Sequence, residues 1–146
     1  MADIRIVVGR LRLDASLDLA NPLAEQIFDS LPLSGRFERW GDEICLPLDC
    51  GERDLAKPVD AVQLGDIAYS DRWKMFCVFY GRTPLSTDHE IVPNGPVEII
   101  GRLAEPQSTQ LLRRFFAAFS TRLTRRVLRL FSPAGAYGDT ITVEKR

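Results

Sequence analysis

A chain of 146 residues that is 45% hydrophobic and 27% charged has the make-up of an ordinary globule, which sets aside disordered and fibrous classes. At that length one domain removes roughly two thirds of its unfolded surface from water and holds a core without cross-links. The net charge of −1 hides an uneven distribution: residues 106–131 carry six arginines and no acid, leaving 13 basic against 20 acidic residues elsewhere, a net of −7.

No apolar run approaches the ~20 residues of a membrane span, and the chain opens into alternating apolar and charged residues rather than a secretory segment. A cytoplasmic location is expected. The three cysteines, Cys45, Cys50 and Cys77, are an odd number in a chain that needs no bridges, so reduced thiols are expected. Cys45 and Cys50 are five apart with His89 as the one conceivable third ligand, a spacing that assigns no metal site, and no cofactor motif is present.

Along the chain, Ile4, Ile6 and Val8 alternate with Arg5 and Val7, and Leu11, Leu13 and Ala15 alternate with Arg10, Arg12 and Asp14 beyond Gly9. Period-two patterning on both sides of a turn predicts a β-hairpin. Asn21 is a good N-cap, Pro22 suits the first helical position, and Leu23, Ala24, Ile27, Phe28 and Leu31 follow at helical spacing up to Pro32. A short helix is predicted, its one apolar stripe laid on a sheet or a barrel mouth.

Two strands are read next, Gly35 to Trp40 and Glu43 to Leu46, around the Gly41-Asp42 turn. Pro47 to Asp60 reads as surface loop. Gly65 to Tyr69 is a strand, and Met75 to Tyr80 is an unbroken apolar and aromatic run, too short for a helix and rich in β-formers. This run is read as a strand covered on both faces and central to a β-structure. A sixteen-residue loop from Gly81 to Pro96 follows, and loops of this length are usually functional or mobile. Val97, Ile99 and Ile100 form a further strand, and Thr140 to Val143 a last one.

Between them, Leu112, Phe115, Phe116, Phe119, Leu123, Val127 and Leu130 share one helical stripe over Ser108 to Phe131, with Arg114, Arg122, Arg125 and Arg129 on the opposite side. This is a long, basic amphipathic helix. Eight short strands, one short helix and this long C-terminal one make the chain mainly β: a closed or nearly closed eight-stranded antiparallel barrel, in a single domain over residues 1–146 with 106–131 as an added helix.

Several stretches taken in order resemble a family of small prokaryotic proteins with a cyclophilin-like fold and largely unassigned function. They are Leu31-Pro32-Leu33, Trp40-Gly41-Asp42-Glu43-Ile44, Gly65-Asp66-Ile67-Ala68-Tyr69, Phe79-Tyr80-Gly81-Arg82-Thr83-Pro84-Leu85-Ser86 and Ile100-Gly101-Arg102. The resemblance spans residues 4–103 and implies an eight-stranded barrel of cyclophilin topology. The arginine-rich helix departs from that pattern. So does the absence of the aromatic, histidine and arginine motif and of the glutamine and glycine motif that the peptidyl-prolyl isomerases of the wider fold carry.

Trp40, Tyr69, Trp73 and Tyr80 bracket strand ends, where an aromatic lines a pocket or, more commonly, caps the core. Glu43, beside Trp40 at a tight turn, has the setting for a raised pKa and acid–base work, against the commoner roles of capping a turn or facing solvent. Arg82 and Arg102 both follow glycines at strand ends, so their guanidinium groups either converge on one anion or pair with Glu43, Asp66 or Asp71. Ser86, Thr83 and His89 share the long loop without making a triad by that fact alone.

The arginine face of the late helix suits water or the molecule's own acidic surface first, self-association through residues 108–131 second, and nucleic acid or membrane last. The leading expectation is a barrel that binds a small molecule or extended peptide in a groove at a single rim, with Glu43, Tyr69, Trp73, Tyr80, Arg82 and Arg102 as candidate contacts. A weak prolyl isomerase, a small hydrolase using Glu43, and an oligomerising or adaptor protein are the alternatives.

Overall fold

The structure, a computed structural model, describes residues 1–104, 107–117 and 140–146. The opening hairpin is β1 (Ala2–Val8) and β2 (Leu11–Leu17), turned at Gly9, whose φ of 59° is left-handed. Its odd–even pattern is realised in the burial: Ile4, Ile6, Val8, Leu13, Ala15 and Leu17 all point into one core. The helix α1 (Pro22–Asp29) starts where its sequence says, since the Asn21 side chain accepts hydrogen bonds from the Leu23 and Ala24 backbone N–H groups at 2.9 and 3.3 Å. Leu23, Ala24 and Ile27 are its buried stripe.

The strand expected over Gly35 to Trp40 is two strands. β3 (Leu33–Arg36) pairs with β9 (Thr140–Lys145), while β4 (Glu38–Arg39) pairs with β5 (Glu43–Pro47). The chain changes partner at Phe37, which lies half-buried against the core and against the Phe116 ring. This division makes nine strands among the described residues where the pattern suggested eight. The remaining strands are β6 (Asp66–Ser70), β7 (Met75–Phe79) and β8 (Glu98–Leu103).

All nine form one antiparallel sheet in the order β3-β9-β1-β2-β8-β6-β7-β5-β4. The two edges, β3 and β4, are joined through Phe37 alone, so the sheet curls round until its ends are covalent neighbours and the barrel is nearly closed. Inside lie Ile44, Leu46, Ile67, Tyr69, Phe76, Val78 and Tyr80 with the hairpin's apolar set.

The reading of β7 as covered on both faces holds. Phe76, Val78 and Tyr80 point into the barrel, while Cys77 and Phe79 join Ala68, Val62 and Val97 in a second apolar cluster on its outer side. That outer cluster is roofed by the loops around Val59–Val62 and Ile91–Val97, which are stitched together by Val59↔Val97 and Val62↔Ile91 bridges.

The late helix, α2, is described over Gln107–Ala117. Leu112 and Phe116, one turn apart, are buried in the core, and Phe115 packs against it. The remainder of the expected stripe, Phe119, Leu123, Val127 and Leu130, lies outside the described residues, as do Arg122, Arg125 and Arg129. Among the described residues no helix is long and apolar enough to cross a membrane.

Candidate functional site

Two of the short sequence stretches, far apart in the chain, meet backbone to backbone. The Asp42 N–H donates to the Arg82 carbonyl at 2.8 Å, and the Tyr80 N–H donates to the Asp42 carbonyl at 2.9 Å. Glycine is required on both sides of this junction. Gly41 has φ of 60° and its missing Cβ would stand 2.7 Å from the Arg82 carbonyl oxygen, while a Cβ on Gly81 would stand 2.7 Å from the Asp42 Cβ. The clamp fixes where β5 begins and hence where Glu43 points.

Glu43 and Cys45 are two apart on β5 and so share its outward face, and Cys77 lies directly across from Cys45 in the β5–β7 register. One donor atom from each of Glu43, Cys45 and Cys77 falls within 4.8 Å of the others. The Cys45 thiol donates to Glu43 Oε2 at 3.1 Å. Glu43 Oε1 is buried with no hydrogen-bond partner, on a residue only 5% exposed. A buried polar atom in that state is rare in folded proteins.

Burial raises the Glu43 carboxyl above its usual range, against the opposing pull of the Cys45 hydrogen bond and of the neighbouring Cys77 thiol. The Cys77 thiol is pushed well up by its hydrogen bond with Cys45, then by burial and by the Glu43 charge. All three cysteines are free thiols.

These groups form the floor of a cavity of about 260 Å³ along the outer face of β5 and β7. Trp40, Trp73, Met75, Pro93 and Val97 are its apolar walls, and Glu38, Arg39, Ser70 and Asn94 its other polar lining. The Trp73 indole N–H donates to the Asn94 carbonyl at 2.9 Å, tying the β6–β7 turn to the long loop.

Of the six candidate contacts, Glu43 and Trp73 line this cavity and the other four do not. Tyr69 points inward, its hydroxyl donating to the Leu48 carbonyl and accepting from the Cys50 N–H, with its pKa pushed up to about 12, chiefly by burial. Tyr80 also points inward and stacks on Phe116, and burial takes it to about 12 as well. Its hydroxyl makes no hydrogen bond of good geometry, while the Arg39 guanidinium acts on it by charge.

The two arginines do not converge. Exposed Arg82 faces Asp88 at 3.7 Å, and Arg102 pairs with Asp66 at 3.5 Å and donates to the Leu64 carbonyl at 3.1 Å. The β6–β7 hairpin sets Trp73 at its turn, whereas Arg102 is registered with Asp66 at its opposite end. The six therefore do not share a single rim.

In the long loop, Ser86 Oγ accepts from the Thr83 and Val92 N–H groups at 2.9 and 3.1 Å, so its hydroxyl fastens the loop. His89 is exposed, and no hydrogen bond joins it to Ser86 among the described residues. The grouping of Cys45 with Cys50 and His89 is replaced by that of Cys45 with Cys77. The one sequence signal for this was period two: Glu43 and Cys45 had to share a face, and β7 carried one thiol on its outer side. The register that brings the two strands together was not written in either.

This arrangement sits in a known class of barrel. The cyclophilin-like family model matches residues 2–115, and the chain belongs to that family. Among solved structures it is similar to a hypothetical protein from Archaeoglobus fulgidus, with 26% identity and a TM-score of 0.67, covering 99% of this chain and 95% of that one. It is also similar to McbB, solved in complex with tryptophan, at 14% identity and a TM-score of 0.63. That match covers 98% of this chain but spans only 44% of McbB, and at such identity it speaks for the fold alone. No curated protein matches.

Proposed function

We propose that the protein binds a small organic molecule in the cavity over β5 and β7, its apolar body against the tryptophan, methionine and valine walls and its polar end turned to the floor. The observation that carries this is Glu43 Oε1, a buried acceptor with no partner at the base of a largely apolar hollow. A few convergent polar groups in an apolar pocket are the usual make-up of a ligand site. At about 260 Å³ the space stands just below the ~300–1,000 Å³ usual for small-molecule sites, which suits a compact metabolite better than an extended peptide.

A thermal-shift screen against a metabolite library is the test, since a ligand of the native state raises apparent stability by mass action. Trp73 is 53% exposed, so Trp73→Ala removes a cavity wall with little loss of core. Hits should lose their shift in Trp73→Ala and keep it in Arg82→Ala, whose side chain lies away from the cavity. Hits that survive Trp73→Ala unchanged would refute the assignment.

A further inference from the structure

The floor of the cavity holds two thiols and a carboxylate where a binding pocket for an organic molecule needs only one acceptor. Cys45 and Cys77 are brought face to face by antiparallel register, not by a local turn, and Glu43 joins them from the same face of β5. Three donor atoms within 4.8 Å of one another are close to what one tetrahedral ion asks. With metal–sulfur bonds of ~2.3 Å, such donors stand about 3.7 Å apart, so contraction by about 1 Å completes the set. Glu43 Oε1, on a residue only 5% exposed, has no hydrogen-bond partner and so leaves an acceptor for a bound group there.

We propose that Glu43, Cys45 and Cys77 form a three-ligand site for a thiophilic divalent cation, zinc foremost, whose open fourth position faces the cavity. Two thiolates select borderline-soft metals over magnesium or calcium. Three protein ligands with one position free are the pattern of zinc sites that meet a second molecule, whereas closed structural sites use four. The thiols give up their protons as the metal arrives. The inference rests on the ligand-binding reading only for what fills the fourth position; the three protein donors stand without it.

The full chain, reduced and stripped of metal, is titrated with cobalt(II). The expected result is one cobalt per chain, a near-ultraviolet thiolate-to-cobalt charge-transfer band with visible bands of tetrahedral intensity, and displacement of both by zinc. Cys45 is partly exposed, so Cys45→Ser should fold, and loss of a direct ligand should weaken zinc binding by ~100-fold or more, beyond the 10–100-fold typical of outer partners. Glu43→Gln should weaken it in the same direction, and Cys50→Ser should leave the spectrum unchanged.

No charge-transfer band with three free thiols counted would overturn the site, as would a band that keeps its full intensity and cobalt affinity in Cys45→Ser or vanishes in Cys50→Ser. An organic hit on metal-free protein beside an absent band would sink the metal site and spare the binding reading. A cobalt band with no organic hit would do the reverse.

Discussion

Asp66 shows how a single buried acid trades water for partners. Its Oδ2 accepts the Gln63 N–H at 2.7 Å and its Oδ1 faces the Arg102 guanidinium at 3.5 Å, yet burial outweighs both and raises its pKa. A carboxyl with a raised folded pKa binds its proton more tightly folded than unfolded. It therefore favours the fold fully below the unfolded-state value, and that contribution is lost as pH rises through the folded one. Asp66→Asn, which keeps an acceptor for Gln63, should flatten the fall in thermal midpoint as pH rises above the ordinary carboxylate range. A slope identical to wild type would assign the effect elsewhere. Gly81 is the complementary case, one of space: a Cβ there would run into the Asp42 side chain, its carboxylate oxygen first. Gly81→Ala drives a Cβ into Asp42 and should cost about 1–3 kcal/mol in chemical denaturation, the usual penalty of overpacking.

Among the elements, α2 is seated by Leu112 and Phe116, and the Phe116 ring makes its aromatic contacts. Phe116 stacks on Tyr80 at 5.5 Å, meets Phe37 edge-on at 5.8 Å and carries the Arg39 guanidinium 4.3 Å above its face. Phe116→Ala should cost about 3 kcal/mol in denaturant midpoint analysis, whereas Leu111, exposed on the same helix, should tolerate alanine within about 0.5 kcal/mol. Equal costs would place the helix differently. Elements were the most legible level of the sequence. Period two gave the hairpin, Asn21-Pro22 gave the start of α1, and the six-residue apolar run gave β7 with both faces covered. Phe37 was not legible as a break, because its neighbours fit a strand on either side and only the closing of the sheet makes the chain change partner there. The cavity was less legible still. Aromatic and charged residues at strand ends drew attention to Tyr69, Tyr80, Arg82 and Arg102, yet sequence alone could not say which end of a hairpin each would occupy. The pair Cys45 and Cys77, 32 positions apart, needed register, which depends on the whole sheet.

For the molecule as a whole, the order of the strands ranks their resistance to opening. β6 and β7 have neighbours on both edges and cover on both faces, whereas β4 pairs on one side only and is exposed. Amide hydrogen exchange should be slowest at Ile67, Ala68, Cys77 and Val78 and fast at Glu38 and Arg39. Uniform protection across the sheet would mean that it opens only as a unit.

The two-sidedness of the β5–β7 wall has a consequence for how this barrel can change. Positions 43, 45, 75 and 77 look outward to the cavity, and 44, 46, 76 and 78 look inward to the core. The odd positions can be rewritten to suit another occupant while the even ones go on specifying the same scaffold. Recognition and architecture are thus interleaved residue by residue along one ribbon, and a relative with a different outer set would keep this shape while serving another molecule.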